Sequence, residues 1–137
     1  MNNENVENMP MKLLGNVIDC DNESRLADFY AELLGWTRTF SGNGYAVISS
    51  KDYPVLLVFQ HVENYERPVF PPEIGKQARM AHFDIYVENL QVGIKRAVAL
   101  GAVICEEQLF EGSITMFDPE GRPFCLVDNW EGGLFVK

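Results

Sequence analysis

Positive charge is scarce in this chain. Its 137 residues include 11 lysines and arginines against 20 aspartates and glutamates, for a formal net charge of −9. No local Lys/Arg cluster offsets the imbalance. That speaks against nucleic acid as a partner, since phosphate contacts need a concentrated basic surface; the acidity itself reads as a solubility feature. Long apolar runs are missing too: none reaches the roughly 20 residues that cross a bilayer, so no membrane partner is expected. The opening MNNENVENMP is polar and acidic, without the basic start and apolar stretch of a secretory signal. A flexible leader over residues 1–11 and a cytoplasmic location are therefore expected. Cysteine is sparse and odd in number: Cys20, Cys105 and Cys125, with no CxxC pair. This argues against a disulfide framework and a paired-thiol redox or zinc motif, and each cysteine reads first as a small core residue. The glycines form no GxGxxG or P-loop pattern, which leaves nucleotide binding without support.

What is present is a soluble, globular composition, 47% hydrophobic and 23% charged, long enough for one domain with a real core. A strand signal over 12–20 leads to Asn22, a helix N-cap candidate. Leu26, Phe29, Tyr30, Leu33 and Leu34 then form one helical stripe, which Gly35 closes. Strand candidates follow at 36–40, 44–50 and 54–62. The order then repeats: a strand over 80–87, Asn89 as a second cap, a stripe of Leu90, Ile94, Ala97 and Val98, a stop at Gly101, and strands at 102–108, 112–118 and 123–129. Subtraction supports the duplication: 89 − 22 = 67 for the caps, 101 − 35 = 66 for the glycines, and 123 − 54 = 69 for the prolines before the last strands. One strand–helix–three-strand unit occurs twice. The expected organisation is a single domain over 12–130, with units 12–62 and 79–130. A proline-rich linker over 63–78 reads as a surface loop, and 131–137 as a tail. DPEG at 118–121 reads as a tight turn rather than a calcium or phosphate loop.

One helix can cover only one face of such a sheet. In MAHFDIYV, alternation sends Phe83, Ile85 and Val87 toward the helix and His82, Asp84 and Tyr86 to the other face. The same parity places Cys125 and Val127 on that second face, with Leu56, Val58, Gln60, Gly15, Val17 and Asp19 in the first unit. Two such sheets together would line a concave trough.

The doubled βαβββ pattern, with DFYAELLGW, MAHFDIYVENL, AVALGA and DPEGRPFCLV, resembles the glyoxalase/bleomycin resistance/dioxygenase superfamily, the vicinal oxygen chelate fold. The likeness spans about residues 12–130 and implies an α+β fold of tandem βαβββ units in a concave mixed sheet, helices outside. It also implies a homodimer. Metal-dependent members place ligands on the first and last strands of each unit; carried over by position, these map to Gly15, Leu56, His82 and Cys125. Only His82 is a standard ligand there, and Cys125 a conceivable one. A divalent metal is accordingly disfavoured and no cofactor is expected, because the superfamily's chemistry needs several nitrogen and oxygen donors.

His82 and Asp84 are the candidate catalytic pair. Histidine suits proton transfer near neutral pH, and a neighbouring carboxylate can orient it; a solvated surface pair is the competing reading. Gln60, Tyr86, Cys125 and Asp19 are candidate ligand contacts, against strand-end exposure for Gln60 and core packing for Cys125. The expected function is binding of a small molecule in the trough without the standard metal. The alternatives are a metal-dependent lyase or isomerase of glyoxalase I type with altered ligands, and a non-catalytic structural or interaction module.

Overall fold

The computed structural model describes residues 8–128. Residues 1–7 of the expected leader, the end of the expected domain at 129–130 and the expected tail lie outside the described residues. The elements are β1 (Gly15–Cys20), α1 (Glu23–Leu34), β2 (Thr37–Gly42), β3 (Tyr45–Ser49) and β4 (Leu56–His61), then β5 (Asp84–Tyr86), α2 (Leu90–Ala99), β6 (Val103–Ile104), β7 (Ser113–Phe117) and β8 (Pro123–Val127). Both helices start where a short polar side chain can satisfy a free backbone donor. Asn22 accepts from the Arg25 N–H, and Asn89 from the Val92 N–H. Gly35 ends α1 with φ 71°, a left-handed conformation that glycine adopts without a side-chain clash.

The strands form two four-stranded sheets of matching order, β1-β4-β3-β2 and β5-β8-β7-β6. In each, the unit's first strand runs parallel to its last, and the remaining pairs are antiparallel. The fold is thus mixed α+β, built from two βαβββ units. Gly15 pairs with Leu56 and Asp84 with Cys125, so strand positions repeat at 84 − 15 = 69 and 125 − 56 = 69. The caps repeat at 67 because the step from strand to cap is shorter in the second unit, 89 − 86 = 3 against 22 − 17 = 5. By sheet register Gly15 therefore matches Asp84, not His82, whose match is Leu13. The shift is even, so the faces stay as alternation assigns them.

One core joins the units. Tyr30 of α1 is fully buried, stacked on Phe59 at 5.6 Å and edge-on to Phe83 at 5.3 Å and Phe124 at 6.0 Å. Burying such a ring contributes roughly 2–3 kcal/mol. Phe124 and Leu126 face this core, with Phe83, Ile85 and Val87 packed against it. The phenol donates to Asp118 Oδ2 at 2.8 Å, and Glu120 Oε1 accepts from the backbone N–H groups of Asp21 (2.7 Å) and Asn22 (3.0 Å). DPEG is the expected turn, closed by Gly121 N–H to Asp118 O at 2.8 Å. Its two carboxylates are nevertheless buried, and Glu120 sits where the α1 dipole favours negative charge.

Four expectations need correction, the first being that the strand expected over 102–108 is only Val103–Ile104. The strand over 80–87 shrinks to Asp84–Tyr86: Met80 has φ 61°, outside the extended range, and pairing to β8 begins only at the Phe83 carbonyl. Val98 is 47% exposed. It lies about 80° around the helix from Leu90, while the buried stripe runs through Gly93 and Ala97. The 63–78 linker is not simply a surface loop. Pro68 and Phe70 are buried, the Phe70 ring lies 6.5 Å from that of Phe110, and the Phe70 carbonyl accepts from the Cys105 thiol. Apolar residues among the prolines pull the segment down onto the second unit.

Candidate functional site

The strap from residue 62 to residue 83 roofs a cleft of about 700 Å³ beside β1. Val17 and Asp19 of β1, Tyr65, Arg79 and His82 of the strap, and Arg122 from the DPEG turn line it. A second, open cavity of about 890 Å³ lies farther along β5, lined by Asp84, Tyr86, Trp36, Tyr53 and Val92 among others. Asn16 and Phe83 border both.

His82 is held where the strap enters β5. Its Nε2 lies 3.1 Å from Asp84 Oδ1, with the two side chains 26% and 35% exposed. Two residues apart in extended chain, they share a face, which the alternation of MAHFDIYV requires. Asp84 is also the register partner of Cys125, and Cys125 of Thr115. Thr115 Oγ1 and Cys125 Sγ lie 3.4 Å apart. Cys125 is 3% exposed. Burial pushes its thiol up, the Thr115 hydrogen bond pulls it down, and the Asp84 charge raises it further. The buried Cys20 thiol is pushed up to about 12, chiefly by burial. Both behave as inert packed thiols rather than nucleophiles.

The other expected residues fall in two places. Asp19 and Gln60 are register partners, continued by Tyr45 in one row of the first sheet, and of these Asp19 reaches the cleft. Tyr86 is half exposed and borders the second cavity. Gln60 and Cys125 border neither cavity. Tyr65, Arg79 and Arg122 line the cleft without having been singled out in the sequence. They sit in loops, where no periodicity reports which way a side chain points.

A sequence profile described as the glyoxalase-like domain matches residues 16–127. The chain belongs to the glyoxalase-like domain family. No curated protein matches its sequence. Solved structures share the fold. A glyoxalase/bleomycin resistance protein/dioxygenase family enzyme from Burkholderia phytofirmans PsJN is 14% identical over 85% of this chain and 97% of its own, with TM-score 0.62. A glyoxalase family protein from Enterococcus faecalis is 20% identical over 85% and 96%, with TM-score 0.61. The fosfomycin resistance protein FosX from Mesorhizobium loti is 12% identical over 86% and 92%, also at 0.61.

The metal ion of metal-dependent superfamily members can be tested against this glyoxalase-like domain's own donors. In the first unit Gly15 and Leu56 offer no side-chain ligand. There is also no room for one, since a Cβ on Gly15 would clash with the Leu56 carbonyl oxygen. In the second unit, one ligand atom each from His82, Asp84 and Cys125 lies within 4.8 Å of the others. A buried thiol does not fit an oxygen-preferring ion. The donors present do not fit that ion. Their mixed nitrogen, oxygen and sulfur character is of the type zinc accepts. Among the described residues, no helix is long and apolar enough to cross a membrane.

Proposed function

We propose that this glyoxalase-like domain binds a small organic molecule in the cleft under the strap, using His82 as its polar contact and no divalent metal. The observation that carries the reading is the His82–Asp84 pair at the wall of a cleft large enough for such a ligand. Nε2 faces the Asp84 carboxylate at 3.1 Å, which leaves Nδ1 as the ring nitrogen available to a ligand. That nitrogen can accept a ligand's hydrogen bond or an acidic proton. Val17, Ile18, Pro68 and Phe83 give the cleft apolar walls, so indole is a suitable neutral probe. In protein dialysed against EDTA, indole should bind, and His82→Ala should weaken it about tenfold, the scale of one lost polar contact. Binding that requires added metal, or that ignores His82→Ala, would sink the reading.

The reading extends to a homodimer. Val17, Val58, Val47 and Phe40 form one cross-strand row on the first sheet, with Val17 56% and Phe40 50% exposed, a face that a second copy would cover. Light scattering at the 15.5 kDa monomer mass would refute that extension. A zinc-dependent lyase or isomerase is the second reading, favoured by the His82, Asp84 and Cys125 cluster alone. Stoichiometric zinc in protein purified without added ions, lost in His82→Ala, would establish it over the first.

A further inference from the structure

Arginine side chains in a chain with nearly twice as many acidic as basic residues ordinarily find carboxylates. Among the described residues the ion pairs are Arg38–Asp28, His61–Glu63 and His82–Asp84, and neither Arg79 nor Arg122 takes part in one. Both line the cleft under the strap, as does Tyr65. Three polar atoms there are shielded from water and have no hydrogen-bond partner: Tyr65 Oη, Arg79 Nη1 and Arg122 Nε. A buried donor left without a partner costs about 1–3 kcal/mol, and more when it carries charge. Three such donors around one cavity are an unusual expense unless something enters to accept from them.

Their surroundings show how the positions are held. Arg79 lies over the Phe70 ring, 4.6 Å from its centre, and 5.9 Å from that of Phe110. Those two rings fix the plane of the guanidinium and leave its edge for hydrogen bonds. Arg122 donates from Nη2 to the Asp19 carbonyl at 2.7 Å, and its guanidinium lies 5.9 Å from the centre of the Tyr65 ring. Asp19 and Glu66 also line the cleft and carry the opposite charge, yet neither carboxylate closes on a guanidinium. Two planar forks from separate loops and one phenol form a donor set suited to an oxyanion, which a neutral ligand would leave unsatisfied.

We infer that the cleft holds an oxyanion group, the acidic end of a small organic ligand, between Arg79, Arg122 and Tyr65. This rests on the cleft being the ligand site, and it adds the ligand's charge to that reading: an organic phosphate or carboxylate whose body lies toward His82.

The test uses the full chain, with inorganic phosphate and acetate as probes and sodium chloride at equal ionic strength as the control. A bound anion stabilises the folded state by mass action, so the thermal midpoint should rise with phosphate, acetate or both, beyond the chloride value. Arg79→Gln should weaken the apparent affinity about tenfold or more. Arg122→Lys, which keeps the charge and loses the fork, should weaken it less. Midpoints equal to those in chloride, or equal rises in wild type and Arg79→Gln, would overturn the inference. If indole still binds through His82 while both anions fail, the oxyanion site is wrong and the cleft reading stands. If Arg79-dependent anion binding is found while indole fails, the oxyanion site stands and the neutral-ligand account of the cleft falls.

Discussion

The two halves of this domain share one scaffold and have diverged on the face that the helices leave open. Where the first unit pairs Gly15 with Leu56 and Val17 with Val58, the second pairs Asp84 with Cys125 and Tyr86 with Val127. Before the last strand, the first unit has the connection 50–55, whereas the second has Asp118 to Arg122, whose two acids are buried and tie the halves together. What both units retain is structural: an asparagine cap, a helical stripe, a parallel pairing of first and last strands. What differs is polar chemistry, and nearly all of it lies in the second half or the strap. The two units share the means of folding, and the first carries no side-chain donor at Gly15 or Leu56.

The largest expected effect lies at the turn. Asp118→Ala removes the acceptor for the Tyr30 hydroxyl and for the backbone N–H groups of Glu120 and Arg122. It should cost about 3 kcal/mol in urea unfolding, against under about 0.5 kcal/mol for Asp52→Ala, the exposed acid that the sheet register places opposite it in the first unit. Equal losses would erase the contrast. Asp118 also carries a pH signature. Burial, opposed by its hydrogen bonds, raises this carboxyl above the ordinary 3.8. The folded chain therefore holds the proton to higher pH than the unfolded chain does. Between 3.8 and the raised value, this group's contribution to stability falls as pH rises. Asp118→Asn should remove that component of the slope, and an unchanged slope would refute the assignment.

A smaller effect tests whether the first unit is closed to ligands. Gly15→Ala places a Cβ against the Leu56 carbonyl oxygen. Chemical denaturation should show a loss of about 2 kcal/mol, while Asp84→Ala, at the register-matched and partly exposed position, should lose under about 1 kcal/mol. A neutral Gly15→Ala would mean that the first unit can accept a side chain there after all. Smallest of all is a titration. Hydrogen bonds to the Asp21 carbonyl and then to Glu63 raise the exposed His61 ring above 6.5; an NMR midpoint at or below that value would contradict the placement.

Much of this was legible in the chain because it rests on local periodicity. Asn22 and Asn89 announce the helices, and alternation assigns His82, Asp84 and Tyr86 to one face and Phe83, Ile85 and Val87 to the other. Register was less legible. The cap offset matches His82 to Gly15, yet the strands align Asp84 there, because a connection two residues shorter is invisible until the pairs form. Tyr65, Arg79 and Arg122 were hidden for a different reason. They come from a proline-rich strap and a turn, and tertiary packing such as that of Phe70 against Phe110 brings the strap into place. Asp118 and Glu120 likewise read as turn residues, since their burial depends on α1 lying over them.

The central claim is that ligand chemistry sits at His82, in the cleft beneath the strap. The chain's two histidines make a direct comparison, because His82 lines that cleft and His61 does not. Histidine ring resonances recorded by NMR while indole is titrated into EDTA-dialysed protein would test it in one experiment. The account predicts a saturable shift of the His82 ring with His61 unmoved; a still His82, or both rings shifting alike, would contradict it.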